Sequence, residues 1–545
     1  MADVRVGVDV GGTNTDAVVM AGRRLLGWAK TPTTADVTGG ILSGVREALA
    51  RAETTPAAVR AVMIGTTHFT NAVVERRRLE PTAAVRLGLP ATASVPPFAD
   101  WPADLRDAID GRGYLAHGGY EYDGREIAPL DEAELRDIAR QIRRQGATAL
   151  AICAVFSPIR ADLEWRAAAI LQEGLPDVRV SLSHEIGRLG LLERENACIL
   201  NACLSGLAAT TVTAIVAALH EMALDAAVYL SQNDGTLMSA EFARRYPVLT
   251  FASGPTNSMR GAAYLSGLRD AIVIDVGGTT ADVGALVGGF PREASLAVEV
   301  GGVRTNFRMP DLLTLGLGGG SLVRPGVAGT PPTIGPDSVG YRLTDRAIVF
   351  GGHDLTATDV AVATGLAALG DPARLSPDQR ALAPAAIAEV RRRLAEAIDQ
   401  VKTSAAEVPV VLVGGGSILV DGALPGASTA IRPDHFEVAN AIGAAIGQVS
   451  GEVDQVHSLD ETSRDDLIAR ARDDAAARAV AAGADPDTVE VVDAEDVPLA
   501  YLPGSATRVH VKVVGALRAA SGELQENLAR SSPLATRNWS TDVGD

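Results

Sequence analysis

Two stretches of the chain carry the same chemically loaded residues in the same order. Asp9-Val10-Gly11-Gly12-Thr13-Asn14-Thr15-Asp16 follows an alternating apolar run from Val4 to Val8, and Asp275-Val276-Gly277-Gly278-Thr279-Thr280-Ala281-Asp282 follows Ile272, Val273 and Ile274. Each copy reads as a buried strand ending in an Asp, a Gly-Gly-Thr turn and a second strand, so each predicts a hairpin. Paired glycines let several backbone N–H groups converge on one anion, because a Cβ would block both the backbone angles and the close approach. Gly11, Gly12, Thr13 and Asn14, with Gly277, Gly278, Thr279 and Thr280, are therefore candidates for ringing a phosphate. Asp9 and Asp275 repel a phosphate directly but can hold Mg²⁺ or its waters beside it. They are the candidate catalytic and metal-binding residues. Two such hairpins facing one another would clamp a nucleoside triphosphate.

A single Gly-Gly between β-rich segments is an ordinary turn signal; two copies on one strand–Asp–turn–strand frame are an internal repeat. A third element, Val410-Val411-Leu412-Val413-Gly414-Gly415-Gly416-Ser417, is another β-branched run ending in glycines, and Gly414, Gly415 and Gly416 would let backbone lie against a base and ribose. No GxxxxGK[ST], HExxH, GxSxG or metal-spaced Cys/His cluster occurs in the sequence. A nucleotide cleft without a nucleophile motif points to phosphoryl transfer, in which the protein supplies positioning and charge stabilisation.

The two hairpin motifs and the later Leu412–Ser417 stretch resemble the actin-like ATPase superfamily. Ile64-Gly65-Thr66-Thr67-His68-Phe69-Thr70-Asn71, Ala252-Ser253-Gly254-Pro255, Thr314-Leu315-Gly316-Leu317-Gly318-Gly319-Gly320-Ser321 and Pro498-Leu499-Ala500-Tyr501-Leu502-Pro503-Gly504 narrow the resemblance to the ATP-binding A subunit of the hydantoinase/oxoprolinase family. That resemblance implies an α/β fold: a two-lobed actin-like ATPase with duplicated ribonuclease H-like lobes and a small C-terminal α+β appendage. The corresponding segments are 1–185, 186–455 and 456–545. It also implies an enzyme that uses ATP and Mg²⁺ to phosphorylate the carbonyl oxygen of a cyclic amide or imide, as hydantoinases and 5-oxoprolinases do, before ring opening. Such enzymes work with a B-type subunit, so a hetero-oligomer with that or an equivalent hydrolytic partner is expected. Three rivals stand beside this reading: a subunit of an ATP-dependent ketone carboxylase, a small-molecule kinase, and a nucleotide-switched binding module without turnover. Thr66, Thr67, His68 and Asn71, at the start of an expected helix, are candidate substrate contacts, although Thr66 and Thr67 could simply cap it. In relatives a His commonly stands where this chain has Leu313, so no metal ligand is carried over there.

The elements that must position these residues follow from pattern. Helices are expected over 38–50, 131–145, 162–172, 201–222, 256–266, 376–405 and 460–482, and strands over 61–64, 85–89, 149–156, 178–181 and 228–231. The alternation between 131 and 181 reads as a parallel α/β layer. Phe436–Gly447, rich in small residues, is expected to pack lobe on lobe, where sliding would couple cleft closure to nucleotide. The tail from about Ser521 is polar and expected to be disordered. A length of 545 residues suggests two or three domains, and few aromatics (4%) leave the core to Ala, Val, Leu and Ile. A net charge of −18 argues against nucleic acid as a partner. No signal segment and no apolar run near the roughly 20 residues of a membrane helix is evident, so a cytoplasmic protein is expected. Cys153, Cys198 and Cys203 form no CxxC and read as buried free thiols.

Overall fold

The computed structural model describes residues 4–33, 37–294, 298–306, 309–327, 330–459, 462–499 and 506–518. Residues 500–504 of the late family motif and the tail beyond Ser521 lie outside these.

Both repeats form the expected hairpins. Val4–Val10 pairs antiparallel with Asn14–Ala21, and Ala271–Val276 pairs antiparallel with Ala281–Val287. Their registers match, since Asp9 faces Asp16 across the first hairpin and Asp275 faces Asp282 across the second. Each hairpin is then extended in the same way. In the first, the third strand Arg24–Pro32 lies outside the second, while Val59–Thr66 and then Ala227–Ser231 run parallel on the inner side. In the second, Phe290–Pro291 lies outside, and Val408–Val413 and then Ala427–Ile431 run parallel inside. The shared order, with one antiparallel strand in an otherwise parallel inner sheet, is the duplicated ribonuclease H-like lobe of the actin-like ATPases. The inner strands read as near-continuous apolar runs because helices cover both faces. Val6, Val8, Ile41 and Val45 are fully buried in one lobe, and Ile274, Val390, Leu394 and Val410 in the other.

Between Val59–Thr66 and Ala227–Ser231 the chain inserts a four-stranded parallel layer, ordered Arg112–His117, Thr82–Leu89, Ala149–Ala154, Arg179–Leu182. The expected helices are present at Glu132–Gln145, N-capped by Asp131, and at Asp162–Gly174. The helix expected over 201–222 starts ten residues earlier, as the 31-residue helix Leu191–Glu221. By length and hydropathy this helix could cross a membrane, contrary to the expectation that no such run exists, but half of its apolar window is buried within the protein. Its first turns carry Arg194, Glu195 and Asn196 into the interior. Glu195 takes two hydrogen bonds from the fully buried Arg86, at 2.7 and 2.5 Å, and Asn196 accepts from the Trp101 indole at 2.7 Å. Removing one partner of such a pair leaves a buried charge uncompensated, so Glu195→Ala should destabilise the protein by about 3–5 kcal/mol. Arg86→Met with Glu195→Leu should recover most of that loss in thermal denaturation.

The expected divisions after 185 and 455 do not coincide with the sheets. Ala227–Ser231 and Thr236–Ser239 belong to the first lobe's sheet, and the C-terminal strands Gln448–Ser458, Ala506–Gly515 and Glu490–Pro498 continue it outward to nine strands. The α+β appendage is thus an extension of that sheet, backed by helix Arg464–Ala481, whose Leu467, Ala471 and Ala475 pack on Val509, Val511 and Val513. Sheet continuation rests on pairing between strands distant in sequence, which local patterning does not report. The three cysteines are buried free thiols as expected.

Helices Ser253–Ser266 and Ala439–Ala445 form the lobe junction. They approach at backbone distance, because a Cβ on Gly443 would collide with the Asn257 carbonyl oxygen and one on Gly261 with the Ala439 carbonyl oxygen. The small residues of 436–447 make that contact possible, as their pattern predicts.

Candidate functional site

The two hairpin turns face each other. A Cβ on Gly278 would stand 3.2 Å from the Thr13 hydroxyl, so the glycine-rich turn of one lobe abuts the threonine of the other. Within each turn the first glycine closes the loop by its own N–H, Gly11 donating to the Asn14 carbonyl at 3.0 Å and Gly277 to the Thr280 carbonyl at 2.9 Å. The N–H groups of Gly12, Thr13, Gly278 and Thr279 have no intramolecular partner among the described residues. They are the donors left for an anion between the lobes. Thr33 supports the first turn, its hydroxyl donating to the Gly11 carbonyl at 2.8 Å and its N–H to the Thr13 carbonyl at 3.0 Å.

Beneath the turns sit four carboxylates, two of which local sequence signals do not single out. Asp16 and Asp282 are the second acids of each repeat, placed opposite Asp9 and Asp275 by hairpin register. In the first hairpin Asn257 donates to Asp9 Oδ1 at 3.2 Å, and the Asn440 amide donates to Asp9 Oδ2 at 3.0 Å and Asp16 Oδ2 at 2.9 Å. Lys30 pairs with Asp16 at 2.6 Å. In the second hairpin the Ser258 hydroxyl stands against Asp275, and the Thr314 hydroxyl donates to Asp282 at 2.6 Å. Gly414 has φ +80° and lies so close that a Cβ would collide with Asp275 Oδ1. Gly65 holds the equivalent place beside Asp9. The glycine strand end at 414–416 is therefore the repeat counterpart of Gly65-Thr66-Thr67, with Gly416 packed on the Gly277 carbonyl.

Burial dominates the electrostatics. Loss of solvent raises Asp9 from the usual 3.8 to about 6, helped by Asp16 and Asp275 and opposed by the two asparagines. The same cause raises Asp282 to about 6 against the Thr314 hydrogen bond, and lifts Asp16 and Asp275 as well. Four desolvated carboxylates that raise one another's pKa, with one paired lysine, are hard oxygen donors short of positive charge. They fit Mg²⁺, with Asp9 and Asp275 as the residues that would hold it or its waters. The sign of the pH linkage follows. A folded-state pKa above the unfolded value means the folded protein binds more protons between about 4 and 6, so this cluster's contribution to stability falls as pH rises through that window. Asp282→Asn should raise the melting temperature by about 2–4 °C at pH 7.5 and leave it unchanged at pH 4. An equal shift at both pH values would contradict the assignment.

Not every expected residue reaches the cleft. Thr67 does: its hydroxyl donates to the Val10 carbonyl at 3.3 Å, and its methyl stands 3.8 Å from the Cβ position of Gly254, which is equally near Asp9 Oδ2. Asn71 lies one turn on, its amide at 3.4 Å from the Thr67 hydroxyl. Thr66 precedes the helix and its hydroxyl accepts the His68 N–H at 3.1 Å, while the N-cap residue, Thr67, makes no side-chain cap hydrogen bond. His68 turns inward, 9% exposed, with its ring beside Arg78 at 3.3 Å and edge-on to Phe69. Desolvation and Arg78 hold its pKa below the usual histidine value. Gly316–Ser321, one of the stretches that carry the family resemblance, lies against the second turn. Its Gly319 and Gly320 N–H groups donate to the Gly277 and Gly278 carbonyls at 3.0 and 2.7 Å, which makes it a buttress for the second turn. Asp359 is engaged in a capping box with Thr356 and accepts the Val349 N–H at 2.7 Å, far from open to a ligand. His184 and Glu185 are held by ion pairs, His184 with Glu164 at 2.6 Å and Glu185 with Arg245 at 2.8 Å.

A duplicated two-lobed architecture with facing glycine–threonine turns over an acidic floor is the fold of the actin-like ATPases. Comparison with known proteins narrows it. The profile of the hydantoinase/oxoprolinase N-terminal region matches residues 5–175, and that of hydantoinase/oxoprolinase matches residues 194–413. The chain belongs to the hydantoinase/oxoprolinase family. Over 420 residues it is 29% identical to caprolactamase subunit alpha of Pseudomonas jessenii, covering 72% of this chain and 58% of that protein. It is 28% identical over 251 residues to the acetophenone carboxylase gamma subunit of Aromatoleum aromaticum, covering 44% of this chain and 34% of that protein. The chain therefore matches about a third to somewhat over half of the length of these relatives. In fold it is similar to the crystal structure of the ATP-dependent caprolactamase from Pseudomonas jessenii, with TM-score 0.74, 21% identity, and 94% and 88% of the two chains covered. It is also similar to nucleotide-free acetone carboxylase, with TM-score 0.70, 19% identity, and 95% and 88% covered.

Proposed function

We propose that this chain is the nucleotide-binding A subunit of an ATP-dependent enzyme that activates a cyclic amide or imide by phosphorylating its carbonyl oxygen. The observation that carries the reading is the pair of facing turns with open N–H groups above Asp9 and Asp275, in a chain whose relatives include an ATP-dependent caprolactamase. The N–H groups of Gly12, Thr13, Gly278 and Thr279 would hold the nucleotide phosphates, and Gly414–Gly416 would border the adenosine. Mg²⁺ held by Asp9 and Asp275 would neutralise phosphate charge. Asp9, its two oxygens fixed by Asn257 and Asn440, is ionised above pH 6 and can orient a water or the attacking oxygen. Transfer of the γ-phosphoryl to the carbonyl oxygen weakens the C–N bond. One water adds to that carbon and the ring nitrogen leaves with a proton, giving an acyl phosphate; a second water cleaves the acyl phosphate to the carboxylate and inorganic phosphate. A B-type subunit or equivalent partner would receive the activated intermediate, which makes the enzyme a hetero-oligomer.

The second reading is a subunit of an ATP-dependent ketone carboxylase, favoured by the likeness to the acetophenone carboxylase gamma subunit. One experiment separates them: ATP hydrolysis by the chain with its partner subunit across lactams, hydantoins, 5-oxoproline and ketones, with and without bicarbonate. ADP release stimulated by one cyclic amide, with ring-opened product and no bicarbonate requirement, supports the amidohydrolase. Stimulation that needs both a ketone and bicarbonate replaces it with the carboxylase, and tight ATP binding with no stimulation by any compound favours a nucleotide-switched module.

A further inference from the structure

Three side chains from the two junction helices reach the acidic floor of the site. Asn257 and Ser258, adjacent on helix Ser253–Ser266, meet the repeat-equivalent carboxylates of opposite lobes, Asn257 on Asp9 and Ser258 on Asp275. Asn440, on helix Ala439–Ala445, bridges Asp9 and Asp16 with its amide hydrogens, and its Oδ1 accepts the Ala441 N–H at 2.8 Å. Asn257 is buried and Asn440 half-buried, and the donor contacts of Asn257, Ser258 and Asn440 all run from the junction to a hairpin carboxylate.

We propose that Asn257 and Asn440 are positioning residues that fix the Asp9 carboxylate and tie its placement to the packing of the lobe junction. The inference rests on the reading of the site as one of ATP turnover.

The chemistry of the amide explains the residue type. A carboxamide NH₂ has two donor hydrogens and no charge, so one Asn440 can join two carboxylates; a serine has one hydrogen, and an aspartate would add a third negative charge. With one amide on each oxygen of Asp9, rotation of the carboxylate about its Cβ–Cγ bond breaks a hydrogen bond in either direction. The packing allows little slack. Gly443 lies directly on the Asn257 carbonyl, and Gly7, on the strand that carries Asp9, lies directly on the Ala441 carbonyl beside Asn440. Sliding of either helix therefore carries an asparagine with it and turns Asp9. A displacement of about 1 Å at a reacting group costs on the order of 10²-fold in rate.

The test uses the full chain with its partner subunit and steady-state ATP hydrolysis under substrate stimulation. Asn257→Ala and Asn440→Ala should each lower kcat about 10²-fold, with the ATP KM within about threefold of wild type. The double variant should fall little further than either single one, since both act through the same carboxylate. Asn440→Ser, which keeps one donor, should recover part of the loss, and Asn440→Asp should lie below Asn440→Ala. It also serves as the milder variant should Asn440→Ala fold poorly. Wild-type kcat in both alanine variants overturns the positioning role, as does a loss expressed wholly in ATP KM. A wild-type enzyme that turns over no ATP with any substrate of the panel overturns the functional reading and this inference with it, so the two failures are distinguishable.

Discussion

Asp9→Ala and Asp275→Ala should each abolish substrate-stimulated ATP hydrolysis, lowering kcat by about 10³-fold or more, without lowering the melting temperature. The two aspartates occupy equivalent places in a duplicated hairpin, each at the end of a buried strand, below a turn with open N–H groups and beside a glycine, Gly65 or Gly414, that admits the carboxylate. Stability should not suffer, because each is a desolvated carboxylate in a like-charged cluster that raises its pKa. Removing one such charge relieves repulsion. Hydrolysis by the purified variants with partner and substrate, beside thermal denaturation, checks both halves. Normal turnover by both variants would remove Asp9 and Asp275 from the site.

The second large effect is on folding. Gly443→Val should destabilise the protein by about 3 kcal/mol or more and leave little soluble material, because its β-branched side chain would have to occupy the space of the Asn257 carbonyl oxygen. The two helices cannot separate to accommodate it, since Ala439–Ala445 is also seated on Val4–Val10 through Gly7. Gly12→Ala is the contrast: its Cβ would meet nothing within 4 Å, so the variant should melt with wild type even though it stands in the phosphate turn. Scanning calorimetry of the two variants measures the difference. Equal melting temperatures would mean that the junction is looser than these contacts imply.

The hairpins were legible in the sequence because their signals are local. A β-rich run, a terminal Asp and a Gly-Gly-Thr turn specify the geometry within ten residues, and the repetition supplies the second copy. The small-residue junction helix was legible for a similar reason, as a run such as Ala439–Ala445 admits a neighbouring backbone whichever neighbour it has. Asp16 and Asp282 stood in plain view as the second acids of the repeats, but their role depends on hairpin register. Attention to the pairing of Asp9 with Asp16 in a two-stranded ladder would have found them. Asn257, Asn440 and Lys30 carried no signal of that kind, for they reach the site from elements brought together only by tertiary packing. His68 was misleading in the opposite sense. Its position beside Thr67 suggested the cleft, whereas helix rotation turns it toward Phe69 and Arg78 in the core. The glycines of 316–320 stand in a family motif with no local sign of their partners, and only the Gly277 and Gly278 carbonyls, distant in sequence, show why their N–H groups are engaged.

The central claim is that the turns Gly11–Asn14 and Gly277–Thr280 together hold the phosphates of one nucleotide. Its most direct test is a crystal structure of the chain with Mg²⁺ and a non-hydrolysable ATP analogue. The account predicts the β- and γ-phosphates between the two turns, within hydrogen-bond distance of the Gly12, Thr13, Gly278 and Thr279 N–H groups, with Mg²⁺ on the Asp9 and Asp275 side. Phosphates bound elsewhere, or on one turn alone with the other more than a hydrogen bond away, would contradict it.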